Sequence, residues 1–561
     1  MSFIVIFLLL FCSCDRGHNI FENNDEATHD LNDTCSTYEI EIKEPDLPEL
    51  PQIEETLSYS GDIENCLELP EITGEKLALK ENCYRGCITV STKLTVTGAG
   101  STKTAIICKE SDSVAVIHVK ENGEIAVEGV TLTGSVRGIV LEKKSKAVIK
   151  KTSISSCTKG GINICQGESL CESELYFEGS TIENIVPEEN TEISYGISMG
   201  PGKIEIENSK LKGFNSFAVA LWGEKTFNSI SAKIKNSVIT DVYGGKREYE
   251  GHAVYVEGGV TLSIEQSSIK NSGTSFLFFS STEGKGSLKA SDITLETILT
   301  LPKEQGGIVL DGEIKAIMER VFIKNSKGGG IFSSGAALSA SDITIEAVFQ
   351  DGIFHHGFGI VLFEGSKSKL NRVKIEKSAV AGLLADGLNH VEIENFKILE
   401  TDSSSDTFEF GVGAAAQKGA VLVMKNGVVE KNRDSGIMAV NGNLELNNIE
   451  IKNTLPRKCS ENKNCSFAPG IPFGHGISLY SNSNLTIENL FIANNNNGLN
   501  IENSKVQKKG EGTINFIKNT SAVNAWNIEN FYDLEKSLEN SIYCDNETVF
   551  TTDIQPVRDG I

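Results

Sequence analysis

A short step of the form Gly-Φ-x-Φ, in which Φ is an apolar residue, recurs along most of this chain and constrains its fold more than any other feature. Successive steps lie 22 to 25 residues apart, and between Gly161 and Gly476 every second repeat is lengthened by an insert to between 29 and 40 residues. A period of this size is typical of a solenoid, whose repeats pack only on their neighbours. Ala, Ser, Thr or Val can replace the Gly, and the steps begin at Val116, Gly138, Gly161, Gly196, Ala218, Ala253, Ser275, Gly307, Gly330, Gly359, Gly382, Gly411, Gly436, Gly476, Gly498 and Ala522.

The residues between two steps alternate between apolar and polar, as in Ile204–Glu207 and Leu485–Glu488. Alternation with a period of two indicates short strands with one buried face. Three such strands per repeat, stacked repeat on repeat, form a parallel β-helix. We therefore predict an all-β solenoid of about 16 coils with inserts in alternate coils, which at about 4.8 Å per coil is roughly 75 to 80 Å long.

Two columns of polar residues support this register independently of the apolar pattern, because stacked amides can hydrogen-bond from one coil to the next. The first column comprises Asn208, Asn236, Gln266, Asp292, Asp342, Asn395, Asn426, Asn448 and Asn489. The second comprises Asn184, Asn271, Asn325, Asn432, Asn453 and Asn494.

The segment from Leu77 to Ile107 carries a resemblance to a known family. Its residues Tyr84-Arg85-Gly86, followed by Leu94-Thr95-Val96-Thr97-Gly98-Ala99-Gly100, resemble the opening coil of right-handed β-helix proteins of the pectin-lyase-like superfamily. The later coils resemble the same group, so the likeness covers roughly 450 of the 561 residues. It implies a right-handed parallel β-helix. It implies no single activity, because the superfamily holds lyases, hydrolases, epimerases, phage tailspikes, adhesins and proteins without catalysis.

Residues 1–14 are uncharged and contain the apolar run Phe3–Leu10, which is too short to span a bilayer and is typical of a secretory signal. The sequence Phe11-Cys12-Ser13-Cys14 resembles a bacterial lipoprotein cleavage site, and this resemblance implies that Cys14 is lipidated. We expect an exported lipoprotein of the bacterial cell envelope, on the outer membrane or cell surface, that meets the membrane through its lipid alone. An ordinary secreted protein is the alternative.

Residues 15–75 hold 18 Asp and Glu against Arg16 and Lys43, so they carry −16 of the chain's net charge of −24. Together with Pro45, Pro48, Pro51 and Pro70, this composition predicts a disordered acidic tether. The β-helix is predicted over residues 76–525 and a C-terminal cap over residues 526–561. No basic stripe occurs, which argues against a nucleic-acid partner.

The cysteines indicate an oxidising compartment. We expect disulfides within the pairs Cys165 with Cys171 and Cys459 with Cys465, because each pair flanks a short loop. No CxxC pair occurs, so we predict no metal site.

All of the inserts end just before a Gly-Φ-x-Φ step and should project from one side of the rod. In five of six long repeats the residue before the step is aromatic or His. Such rings could pack beneath the inserts and anchor them, or they could form platforms for the sugar rings of a polysaccharide or glycan. The candidate binding residues are Tyr195, Tyr243, Arg247, Tyr249, His252, His355, His356, Phe358, Phe410 and His475.

Catalysis is an alternative to binding alone. Phe473–Leu479 resembles the Gly-His-Gly segment of polygalacturonase-type glycoside hydrolases, but the chain has no adjacent Asp-Asp pair, and glycoside hydrolysis needs two carboxylates at the scissile bond. A lyase would need bound Ca²⁺ and a basic residue. The catalytic candidates are His475, Arg247 and Asp402. We favour a non-catalytic glycan-binding surface protein without a cofactor, with a polysaccharide lyase or hydrolase and a self-associating structural rod as alternatives, and a protein partner is left open.

Overall fold

The computed structural model describes residues 40–61, 64–109, 113–165, 171–185, 193–225, 229–244, 250–298, 306–350, 357–363, 365–404, 410–458, 473–528 and 531–551. Within them lie 43 β-strands and a single α-helix. None of the described helices has the length and apolar character that crossing a membrane requires.

The first half of the rod is built from separate short strands, three to a coil. They are β1 Leu67–Glu68, β2 Lys76–Ala78, β3 Asn82–Arg85, β4 Ile88–Val90, β5 Lys93–Thr97, β6 Thr104–Ile107, β7 Ile117–Val119, β8 Glu124–Glu128, β9 Thr131–Thr133, β10 Arg137–Leu141, β11 Lys146–Lys150, β12 Ser153–Ser155, β13 Gly160–Ile164, β14 Ser173–Glu178, β15 Thr181–Ile185, β16 Tyr195–Met199, β17 Gly202–Glu207, β18 Lys210–Phe214, β19 Phe217–Trp222, β20 Ile230–Lys235, β21 Val238–Val242 and β22 His252–Glu257.

In the middle of the rod, long elements that join two or more strands of a coil occur together with short single strands. These elements are β23 Val260–Ser272, β24 Leu277–Ile298, β25 Ile308–Ser334, β26 Ala337–Phe349, β27 Gly357–Phe363, β28 Lys367–Ser378, β29 Ala381–Asp386, β30 His390–Leu399, β31 Val412–Gln417, β32 Val421–Glu430, β33 Ser435–Val440 and β34 Asn443–Lys452. The last coils comprise β35 His475–Tyr480, β36 Asn484–Ile487, β37 Leu490–Ala493, β38 Asn497–Glu502, β39 Lys505–Lys508, β40 Ile514–Ile517, β41 Ser521–Trp526, α1 Phe531–Ser537, β42 Ile542–Cys544 and β43 Thr548–Thr551.

Each strand pairs in parallel with the equivalent strand of the next coil, so that β16 pairs with β19 and β19 with β22. We call the strand that carries the Gly-Φ-x-Φ step the first strand of its coil, and the two that follow it the second and third strands. Inward-facing Ile, Val and Leu residues of all three form one continuous core along the rod. The prediction of an all-β parallel β-helix is confirmed.

The step begins with glycine in most coils because neighbouring coils lie too close together there for a side chain. A Cβ atom placed on Gly359 would lie 2.4 Å from the carbonyl oxygen of Gly382 in the next coil, and one placed on Gly436 would lie 2.7 Å from that of Gly476. A side chain at these positions would therefore push neighbouring backbones apart.

The first polar column lies at the corner between the second and third strands, where the backbone adopts positive φ. Asn208 and Asn236 have φ values of 51° and 44°, a conformation that Asn tolerates better than most residues. The predicted stacking is present as well: the amide of Asn448 donates to Asn426 Oδ1 at 2.9 Å. In the second column Asn494 donates to Asn453 Oδ1 at 3.1 Å. Asn432 instead belongs to a neighbouring position, where its Oδ1 accepts a bond from the amide of Thr401.

Disulfides and a short helix close the two ends of the described rod. Cys66 is bonded to Cys83, and Cys87 to Cys108, within the first coils. At the other end Leu534 and Leu538 of α1 are buried against the core. The predicted boundary of the β-helix at residue 525 differs from the structure, because β43 pairs in parallel with β41 and so extends the stack beyond it.

Residues 40–61 differ from the prediction of a free tether, because they lie along the third strands of the rod in an extended conformation without regular secondary structure. The backbone amide of Ile40 donates to Glu450 Oε2 at 3.4 Å, and that of Tyr59 donates to Thr131 Oγ1 at 2.9 Å. The segment therefore runs antiparallel to the growth of the solenoid. Its acidic composition, which predicted self-repulsion, is offset by lysines of the rod: Glu44 pairs with Lys397 at 2.5 Å, and Glu55 pairs with Lys210.

Candidate functional site

The first strands carry the outward-facing rings that the sequence singles out, and most of these rings are buried. Tyr195 is 4 % exposed, His252 5 %, Phe358 8 % and His475 0 %. Phe410 is partly buried against an apolar cluster that includes Phe358. Buried rings cannot stack on a sugar in this structure, which agrees with the interpretation that they anchor the surrounding chain.

Specific contacts hold several of these rings in place. Arg137 Nε donates to the hydroxyl of Tyr195 at 3.0 Å, and His252 Nδ1 lies 2.5 Å from Ser275 Oγ. Burial lowers the pKa of His252 to about 3, so this imidazole is neutral at physiological pH. The folded protein therefore keeps its full stability above the ordinary His pKa. It loses stability as the pH falls below that value, because the unfolded chain then binds a proton that the buried imidazole of His252 does not.

Other predicted site residues are exposed or cannot be placed. Tyr243 is 51 % exposed, at the end of β21. Arg247, Tyr249, His355 and His356 lie outside the described residues, as do Cys14, Cys459 and Cys465. The predicted Cys165–Cys171 disulfide is present.

An apolar layer lies on the outside of the first strands, between Val309 and Tyr480. It is separate from the core inside the coils and includes Phe332, Val361, Leu384 and Met438. These residues occupy the middle x position of successive Gly-Φ-x-Φ steps, as the register of Phe332 with Val361 and of Val361 with Leu384 shows. This part of the first-strand face is therefore filled rather than open.

The outer face of the first strands that precede Val309 presents a cluster of partly exposed rings. Trp222, Tyr255 and Phe278 come from three successive coils, and each is only partly buried. The ring centroids of Tyr255 and Phe278 lie 5.4 Å apart with their planes within 6° of parallel, and those of Trp222 and Tyr255 lie 4.9 Å apart. Phe217 and His252 back this cluster from below. We call Trp222, Tyr255 and Phe278 the ring cluster.

Two carboxylates lie beside the ring cluster, at the ends of the first strands. Glu257 Oε2 accepts a bond from the hydroxyl of Tyr255 at 3.2 Å, and Asp311 Oδ2 accepts one from Ser280 Oγ at 3.4 Å. Glu257 is in register with Ser280 and Ser280 with Asp311, so the two acids are two coils apart, or about 9.6 Å between Cα atoms. Burial raises the pKa of Asp311, while its bond from Ser280 acts in the opposite direction.

The sequence contains a signal for this site that the search for residues before the step overlooked. The step that begins at Ala253 has Tyr255 at its x position, and x positions of a β-helix face outward. The step that begins at Ser275 has Leu277 at x, but the strand register pairs Phe278 with Tyr255, so this step is displaced by one residue. Aromatic residues at the x position, rather than before the Gly, therefore point to Tyr255 directly and to Phe278 once the register is known. Trp222 follows by the same alternation, two residues after Ala220.

The residues around the predicted catalytic candidate Asp402 form a cavity of about 770 Å³. Arg433 Nε lies 3.0 Å from Asp402 Oδ1, and Lys458 also contacts this carboxylate. Nearby, Arg457 and Asp434 form an ion pair that is almost wholly buried, and the guanidinium lies 3.5 Å from the centroid of the Phe473 ring. These contacts fix the start and end of the longest insert. Asp402 thus forms ion pairs with Arg433 and Lys458, while His475 is fully buried.

Among the described residues, no group of three or more His, Cys, Asp or Glu side chains is arranged to hold a metal ion.

Residues 281–455 match the family model described as right handed beta helix region. No curated protein matches the chain in sequence. Solved structures with similar architecture include "Geobacillus virus E2 - ORF18", which is 11 % identical over 65 % of this chain and 56 % of that chain, with a TM-score of 0.24. A mutant of the periplasmic alginate epimerase AlgG is 10 % identical over 72 % of this chain and 77 % of its own, with a TM-score of 0.25. A PL6 alginate lyase in complex with a trisaccharide is 11 % identical over 92 % and 90 %, with a TM-score of 0.24.

At such identities and TM-scores these structures say nothing about the activity of this chain, and the match to the first spans little more than half of that protein. The parallel pairing of every coil and the family match over its middle coils nevertheless agree. The chain has a right-handed parallel β-helix fold.

Proposed function

We propose that this chain is an exported surface protein that binds an extended polysaccharide or glycan along the first-strand face without cleaving it. The observation that carries this proposal is the ring cluster, in which Trp222, Tyr255 and Phe278 present partly exposed faces beside two carboxylates. Flat apolar surfaces suit the apolar faces of sugar rings, and neighbouring carboxylates can accept bonds from sugar hydroxyls.

Successive coils favour an extended ligand over a small one. Equivalent residues recur about every 4.8 Å along the rod, so groups two coils apart repeat at about 9.6 Å. That spacing is close to the length of a disaccharide unit in an extended polymer. The site therefore suits a linear chain that lies parallel to the rod axis.

Binding is tested with the full-length protein by pull-down on a panel of insoluble or immobilised polysaccharides. Trp222→Ala and Phe278→Ala should each weaken binding about tenfold, because a lost stacking contact of about 1.4 kcal/mol corresponds to that factor. Tyr176→Ala is the matched control, since Tyr176 is a partly exposed ring on the second-strand face, with Lys150 5.5 Å above it. Equal retention of all three variants would contradict the proposal.

A polysaccharide lyase or hydrolase is the second candidate, and Asp311 is the observation that favours it. A carboxyl with a raised pKa beside a second carboxylate can serve as a general acid. Product release that Asp311→Asn abolishes would establish this candidate.

We also propose that the exported protein is anchored to the membrane by a lipid on Cys14. The disulfides among the described residues favour an oxidising compartment outside the cytoplasm. Mass spectrometry of the mature N-terminus tests the anchor, since a diacylglyceryl group on Cys14 supports it and an unmodified, cleaved N-terminus contradicts it.

A further inference from the structure

The segment Ile40–Tyr59, which we call the strap, lies along the third strands of the rod. Most of its contacts follow the order of the coils. Ile40 meets Glu450, Asp46 meets Asp342, Gln52 meets Asn236, and Thr56 meets Gly179. The strap ends where Tyr59 meets Thr131.

The strap has the length that a polyproline-II helix needs to cover the coils it contacts. From Glu450 to Thr131 the third strands are in continuous register through twelve steps, or about 58 Å at about 4.8 Å per coil. The strap covers this distance in nineteen residue steps, about 3.0 Å each, which is close to the rise of about 3.1 Å of a polyproline-II helix.

The sequence of the strap agrees with that conformation. Pro45, Pro48 and Pro51 are spaced by three residues, the repeat of a polyproline-II helix, and each is partly buried. Leu47 and Leu50, between them, are 65 % and 64 % exposed. Three residues of the strap advance about 9.3 Å and two coils about 9.6 Å, so one proline meets the rod at every second coil.

The surface under the strap, which we call the third-strand groove, is one column of outward-facing positions on the third strands. Thr131, Ser153, Thr181 and Ser268 belong to this column and are buried. Lys397 and Lys210 stand in the same column and pair with strap carboxylates, Lys397 with Glu44 and Lys210 with Glu55. The pairing with Lys210 lowers the pKa of Glu55.

The strap is nevertheless attached lightly. Ile42 is its only buried residue within 40–61, and no residue of the strap belongs to a β-strand. Removing it breaks no hydrogen bond of the sheet between coils, and its prolines keep the released segment close to the bound conformation.

We propose that the third-strand groove is a binding site for an acidic polyproline-II chain, and that the strap is its built-in ligand, able to leave and rebind while the coils stay folded. Opening exposes the buried hydroxyl side chains and the two lysines along twelve coil steps. This inference does not rest on the proposed glycan site, which lies on the first strands.

Limited digestion with chymotrypsin tests the opening, because this protease cuts after Leu57 and Tyr59 of the strap but not after an introduced lysine, and Leu47 and Leu50 are protected by the prolines that follow them. The double variant Glu44→Lys with Glu55→Lys should be cut within the strap at least about tenfold faster than the wild type, with the melting midpoint of the coils unchanged. The double variant Glu49→Lys with Glu54→Lys is the matched control, because both carboxylates are exposed and the charge change is the same. Equal cutting of both variants, or cutting only as the coils melt, would overturn the proposal.

A crosslink and a free peptide test the groove itself. Ser58 Oγ and Ser153 Oγ lie 2.7 Å apart, so Ser58→Cys with Ser153→Cys should lock the strap under oxidising conditions. A labelled peptide of residues 38–61 should bind the Glu44→Lys, Glu55→Lys protein and should fail to bind the locked protein. Equal binding to both proteins, or binding to neither, would show that the groove is not the peptide's site.

Discussion

At the scale of single residues, this fold is specified by a few positions with strict backbone or space requirements. Gly359 is a glycine because the carbonyl of the next coil leaves no room for a Cβ atom. Asn208 and Asn236 stand where φ is positive and also hydrogen-bond to each other. Such requirements recur once per coil, which is why they are visible as columns in the sequence.

Glu502 is a residue whose burial should make stability depend on pH. Its side chain is nearly buried on the first-strand face, Oε2 has no hydrogen-bond partner, and burial raises its pKa to about 7. The folded state therefore keeps a proton that the unfolded state loses near the ordinary Glu pKa, so this residue costs stability as the pH rises from about 4.5 to about 7.

We expect Glu502→Gln to raise the free energy of unfolding at pH 8 by about 1–3 kcal/mol and to change it little at pH 4. Thermal melts at both pH values measure this. Glu445→Gln is the control, because Glu445 is exposed on β34. A gain that is the same at pH 4 and pH 8 would show that the carboxyl of Glu502 does not titrate as expected.

At the scale of elements, the inserts are fixed to the rod by buried contacts rather than by strands. The ion pair of Arg457 with Asp434, covered by Phe473, is the strongest example. Breaking a buried pair from one side leaves an uncompensated charge, whereas a surface pair contributes little.

Arg457→Met should therefore lower local stability by about 3–5 kcal/mol, and Arg433→Met by less than about 1 kcal/mol, because its partner Asp402 is half exposed. Hydrogen exchange of the amides from Thr454 to Lys458 measures the difference. The double variant Arg457→Met with Asp434→Leu should recover part of the loss, since it removes both charges. Similar exchange rates in the two single variants would contradict this account of how the insert is held.

Most of the elements could be predicted from the sequence, while the open part of the site could not. The alternation of apolar and polar residues in segments such as Ile204–Glu207 repeats in every coil. The strands can therefore be predicted even where a single coil departs from the pattern. Whether Tyr195 is buried and Tyr255 partly exposed depends on what covers each outward face, and that is a matter of tertiary packing. The prediction of a free tether was wrong for a related reason. The composition of residues 40–59 shows that they cannot form a core of their own, but it does not show that Lys210 and Lys397 of the rod pair with their carboxylates.

At the scale of the whole molecule, two of the three faces of the rod carry different features. The third strands carry the strap, and the first strands carry the filled apolar layer and the ring cluster. The rod is stiff along its axis because each coil is hydrogen-bonded to its neighbours throughout. A rigid line of equivalent positions is suited to a ligand that is itself a repeating polymer.

The central claim is that the first-strand face holds a glycan without cleaving it, and one assay tests it most directly. The full-length protein is incubated with a panel of polysaccharides, and bound protein, new reducing ends and unsaturated products are read from the same tubes. We predict retention on at least one polymer, lost in Trp222→Ala and kept in Tyr176→Ala, with no product formed. Product formation, or retention that Trp222→Ala leaves unchanged, would contradict the account.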